Sequence, residues 1–93
     1  MAIPLNLREV ANRVAQDWVP RAMAKDIDLG FELNDAWVIA DALLVRELLA
    51  NLVDNSLSYT PANGSVTVRT LHLGTESIVE VEDDGQGLSL IHI

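Results

Sequence analysis

Ninety-three residues, 49% hydrophobic and 22% charged, make one small globular domain and exclude a disordered tract. Fourteen acidic against six basic residues leave a formal net charge of −8, which excludes a non-specific nucleic-acid binder and does not suit an anionic membrane surface. The lack of cysteine excludes a disulfide framework and a thiolate metal site, and no apolar run approaches the ~18 residues that cross a bilayer, so a soluble segment is expected.

Along the chain, Leu7, Val10, Ala11, Val14, Ala15 and Trp18 recur at helical spacing, with Asn6 placed as N-cap and Glu9 at the third helical position. Pro20 removes one amide donor and crowds the carbonyl of Gln16, and the helix is expected to continue to about Ala24 with a kink. Ile27 to Leu33 alternates with period two and reads as a strand with one buried face; Asn34-Asp35 is a turn, and Trp37 to Ala40 a second, shorter strand. Asp41 stands at an N-cap, where its charge suits the positive end of a helix predicted from Ala42 to Tyr59. Leu44, Leu48, Leu49, Leu52, Val53 and Leu57 form the stripe by which that helix is expected to bury against a sheet. Thr60 to Gly64 closes it with a proline and an Asn-Gly turn. Ser65 to Leu73 and Ser77 to Glu82 then read as an antiparallel hairpin, with Val66, Val68 and either Ile78 or Val79 facing inward. Trp18 and Trp37 are expected in the core or at an interface, and His72 on a strand face. The sum is a single α/β layer pair without repeats or linkers.

Two stretches carry chemistry. On the central helix Glu47, Asn51 and Asn55 recur at i, i+4 and i+8, with Ser58 close to that line. A solvated helix face would account for them, but such faces favour Lys, Glu, Arg and Gln, whereas Asn competes for its own backbone. Stacked amides and a carboxylate can offer oxygens to a magnesium ion that also carries phosphates. The second stretch, Asp83-Asp84-Gly85-Gln86-Gly87, leaves a strand with a carboxylate followed by alternate glycines. Its plain reading is a tight acidic turn with Asp84 a solvated loop carboxylate, and its chemical one an acceptor for a ligand amino group beside a closely approaching backbone.

ELLANLVDNSLSYTP followed by VEDDGQG resembles the N box and first glycine box of the ATP-binding domain of sensor histidine kinases, within the fold shared with gyrase, Hsp90 and MutL. The resemblance covers about residues 5 to 88 of one domain, 1–93, and leaves 89–93 as a tail that does not continue it. It implies an α/β (α+β) two-layer sandwich of the histidine-kinase ATPase-like (Bergerat) type. The second glycine box and mobile lid should follow residue 88, so the fold is expected to be incomplete at the C-terminus and inactive alone. By the same resemblance Asn55 ligates the magnesium on the ATP phosphates, Asn51 lies in the phosphate site and Glu47 one turn earlier, those last two forming the catalytic pair. Tyr59 borders the nucleotide, Asp83 takes the adenine amino group, and Gly85 and Gly87 are the box glycines.

Relatives that hydrolyse ATP place a water-activating Glu where Asn51 stands, and an amide cannot act as a general base. The resemblance therefore implies ATP and Mg2+ as ligands and transfer of the γ-phosphoryl group to a histidine in two-component signalling. The implied partners are the histidine-bearing dimerisation domain of a parent kinase and, indirectly, a response regulator, with no nucleic acid and no direct membrane contact. The implied location is a cytoplasmic segment, an inner-membrane sensor being one form the parent takes in that family. Neither His72 nor His92 lies in the family's phosphoacceptor context. An anti-sigma-type serine kinase of the same fold and a non-catalytic interaction module are the alternatives.

Overall fold

Asn6 ends a short first strand and caps the first helix, its side-chain oxygen accepting from the Arg8 amide at 3.1 Å. In the computed structural model, which describes residues 1–84 and 87–93, the order is β1 (Ala2–Asn6), α1 (Leu7–Ala24), β2 (Asp28–Leu33), β3 (Trp37–Asp41), α2 (Ala42–Tyr59), β4 (Ser65–Leu73), β5 (Glu76–Asp83) and β6 (Gly87–His92). Helix α1 runs through Pro20 to Ala24, as expected. Helix α2 has the predicted bounds, with Asp41 accepting from the Leu43 and Leu44 amides at 3.0 and 3.2 Å.

The described strands form two sheets. A four-stranded sheet has the order β2-β4-β5-β6, with β2 parallel to β4 and the other pairs antiparallel. Among the described residues, strands β1 and β3 pair only with each other, Leu5 opposite Val38. Strand β1 was absent from the sequence reading because Pro4 masks it; proline is tolerated at the edge of such a ribbon. The last residues pair with β5 as β6, Ser89 opposite Val81.

The helices meet one face of the large sheet. Leu7, Ala11 and Ala15 of α1, Leu49, Val53 and Leu57 of α2, Val66 and Val68 of β4, and Val79 and Val81 of β5 form the core. Each such Leu or Val contributes on the order of 1.5–3 kcal/mol relative to exposure. Of the predicted stripe, Leu44 and Leu48 are instead 56% and 40% exposed, and Val45 is buried in their place. Successive residues turn about 100° around the axis, so a stripe centred on Leu49 and Val53 leaves Leu48 on the flank. Trp37 is 61% exposed, which removes it from the core; Ile39, two residues on and also exposed, shares that outward face of β3.

Candidate functional site

The last turn of α2 is tied down by α1. Lys25 donates its ammonium to the carbonyls of Leu57 and Ser58 at 2.8 and 3.0 Å, satisfying groups a helix end leaves open. Arg21, stacked over Trp18, pairs with Asp54 and donates to Ser58 Oγ at 2.8 Å. From this braced turn Asn55 and Tyr59 project. Across from them, β5 delivers Asp83 at its end, only 7% exposed, with Oδ1 accepting from the Gly87 amide at 3.2 Å. Gly87 has φ of 97°, a region that favours glycine, although a Cβ there would meet nothing within 4 Å.

Asp84 does more than face solvent. Its Oδ2 accepts from the Ser65 amide at 2.8 Å and both its oxygens lie within 3.3 Å of Ser65 Oγ, so the residue that follows β5 is held to the start of β4. Gly64 precedes that contact, and a Cβ on it would lie 2.5 Å from Thr60 Cγ2 and 2.9 Å from the Pro61 carbonyl. The turn leaving α2, the start of β4 and Asp84 thus form one close-packed junction.

Asn55, Ser56, Tyr59, Asp83 and Ser89 line a single cavity of about 100 Å³. Three residues singled out from sequence, Asn55, Tyr59 and Asp83, converge there. Ser56 and Ser89 were missed; neither stands out by spacing among the chain's five serines, and only the α2–β5–β6 packing selects them. Asn51 is exposed and lies outside that lining. Glu47 lines a different groove, about 280 Å³ between the two helices, with Arg13, Asp17, Trp18 and Arg46. The cause is helical drift: each i+4 step rotates a side chain by about 40°, so Glu47 points about 80° away from Asn55. Gly85 falls outside the described residues.

Among the described residues no cluster of three His, Cys, Asp or Glu side chains forms a cation cage. A magnesium ion carried on phosphates needs only one or two protein oxygens, which an Asn amide can supply. No Lys or Arg lies in the described cavity lining, so a polyphosphate there would need its own counter-ion. The buried Asp83 carboxylate is an acceptor suited to an amino group, and the Tyr59 ring a wall suited to a planar heterocycle.

A profile of the histidine kinase-, DNA gyrase B- and HSP90-like ATPases matches residues 40–93, more than half of the chain. This chain belongs to that ATPase family. Membership implies ATP binding, and the two-layer architecture agrees with it. The ATPase-family domain is 33% identical over 94% of its length to the sensor protein kinase PmrB of Pseudomonas aeruginosa, and 33% identical over 91% to the adaptive-response sensory kinase SasA of a Synechocystis species. The chain spans 18% and 23% of those two relatives. Among solved structures, the catalytic domain of histidine kinase ThkA superposes with a TM-score of 0.85 at 28% identity, covering 91% of this chain and 60% of that one. ThkA has also been crystallised in complex with the response regulator TrrA. No described helix is long and apolar enough to cross a membrane.

Proposed function

We propose that this domain is the ATP-binding part of a sensor histidine kinase, in which the Asp83–Asn55–Tyr59 cavity holds the nucleotide. The observation that carries the reading is the convergence of Asn55 and Tyr59 with Asp83, more than twenty residues away in sequence, on one cavity. Asp83 accepts the adenine amino group, its carboxylate oriented by the Gly87 amide. Tyr59 borders the base. Asn55 ligates magnesium, which when bound offsets charge on the phosphates. Asn51, one turn before Asn55, offers an amide to the phosphates and cannot activate water, so hydrolysis is disfavoured. Glu47 stands in the inter-helix groove, and no part in the chemistry is assigned to it.

In the parent protein, the bond from the γ-phosphorus to the bridging oxygen breaks, a bond to an imidazole nitrogen of the dimerisation domain forms, and ADP leaves. What this domain contributes is positioning and charge stabilisation. A response regulator is the downstream acceptor, a role supported by the ThkA–TrrA complex. The domain is proposed to act in the cytoplasm.

The test is a titration of the 15N-labelled chain with Mg-ADP, read residue by residue in two-dimensional NMR spectra. The cavity of about 100 Å³ is below the ~300 Å³ at which pockets enclose whole ligands, so weak, saturable binding is expected. Shifts should concentrate at Asn55, Tyr59, Asp83 and Gly87 and be lost in Asp83→Asn. Shifts centred on other residues, or unchanged in that variant, would overturn the assignment.

A further inference from the structure

Strand β2 is the edge of the large sheet, and β4 is the only described strand that pairs with it. The Asp28 amide donates to the Gly64 carbonyl at 3.0 Å and the Asn34 amide to Thr70 Oγ1 at 2.8 Å, so the even-numbered amides of this stretch face β4. Because a strand's amides and carbonyls alternate between its two edges, those of Leu29, Phe31 and Leu33 face the open side. Their side chains pack toward the helix layer, and beside them lies a groove of about 380 Å³ between β2 and α1, lined by Arg8, Glu9, Asn12, Phe31 and Leu33. A backbone edge and a groove with an apolar floor therefore run side by side. The opposite face of the sheet is acidic: Asp28, Glu32, Glu80 and Glu82 share it with the guanidinium of Arg69, which pairs with the three glutamates.

We infer that the open edge of β2 is a docking site for an extended protein segment in which apolar and basic residues alternate, added to the sheet as a further strand. The segment's backbone takes the outward amides and carbonyls of Leu29, Phe31 and Leu33, which gives affinity without regard to sequence. Its apolar side chains enter the groove over Phe31 and Leu33. Its alternate side chains stand next to Asp28 and Glu32, where positive charge is attracted and negative charge repelled. The same two carboxylates disfavour a second copy of this chain at the edge, since antiparallel self-pairing would set like charges against one another. The net charge of −8 steers a basic segment toward the domain and keeps copies apart.

The probe is a capped synthetic peptide, Lys-Val-Lys-Val-Lys-Val-Lys, titrated into the 15N-labelled chain. Amide shifts and slowed hydrogen exchange are expected at Leu29, Phe31 and Leu33, with residues of the Asp83 cavity unmoved. A peptide of the same composition with its lysines and valines in two blocks should bind at least about tenfold more weakly, because it cannot sort its two kinds of side chain onto two faces. In the double variant Asp28→Lys/Glu32→Lys the preference should pass to Glu-Val-Glu-Val-Glu-Val-Glu. If that variant melts early, Asp28→Asn/Glu32→Gln should instead lose the discrimination between the two peptides. The inference is overturned by shifts spread over the acidic face with no protection at Leu29–Leu33. Equal binding of the alternating and blocked peptides, or β2 shifts that grow with the chain's own concentration, would overturn it as well.

Discussion

Gly64→Ala probes the junction that joins the end of α2 to the start of β4 and to Asp84. The added methyl would sit 2.5 Å from Thr60 Cγ2 and 2.9 Å from the Pro61 carbonyl oxygen, where ordinary contacts begin near 3.5 Å. Thr60 is fully buried and cannot swing aside, and the second obstacle is backbone. Relief requires a displacement of about 1 Å in the turn, a cost on the order of 1–3 kcal/mol for overpacking. Against it stands a gain of about 0.4–1 kcal/mol, because alanine narrows the unfolded ensemble. The net is a destabilisation of roughly 1–2 kcal/mol, or a fall in Tm of about 5–15 °C for a domain of this size. Thermal unfolding followed by circular dichroism, repeated with urea, measures it. Asp84 Oδ2 lies 3.4 Å from the same methyl, so the Ser65 amide, which donates to that oxygen, should also shift in NMR spectra. An unchanged or raised Tm would show that the turn yields freely and that the junction is not close-packed.

Further outcomes follow from the same geometry. Gly87→Ala should destabilise the loop by about 1–3 kcal/mol, since its positive φ disfavours a side chain although space is open; equal stability by urea denaturation would contradict this. Lys25→Met should release the Leu57 and Ser58 carbonyls, lowering stability by about 1 kcal/mol and speeding amide exchange near Tyr59 more than at the start of α2; uniform exchange rates would count against it. The Asp35 carboxyl lies below its usual range because Asn6 and then Arg8 donate to it, and that of Asp41 because the Met1 ammonium and the Leu44 amide do. Since both pKa values are depressed on folding, this stabilisation is present above the unfolded value near 4 and is lost as pH falls through the folded ones. The Tm difference between the wild type and Asp35→Asn/Asp41→Asn should accordingly shrink below about pH 4; a difference that grows with acid would refute the sign.

Local chemistry made most elements legible. Asn6 and Asp41 cap their helices because a short polar side chain before an apolar periodicity has few better uses. The β4–β5 hairpin followed from β-branched residues on either side of Gly74, and the Asn55 and Asp83 motifs stood out by residue type and order. Strand β1 was not legible, because AIPLN forms a strand only where β3 lies alongside. Nor was the fate of Leu44 and Leu48, since a helix dense in leucine offers more apolar positions than its neighbours can cover, and only packing against α1, β4 and β5 selects which are buried. The polar seam was read along a straight line that the 3.6-residue turn does not keep, which is why Asn55 joins Asp83 while Glu47 joins Trp18. Which residues carry the recognisable chemistry is written in the order of the chain, because capping, periodicity and motif spacing are local. Which of them meet, and that β2 is left at the edge of the described sheet beside a groove, depends on contacts between segments distant in sequence, and the tertiary structure alone decided those.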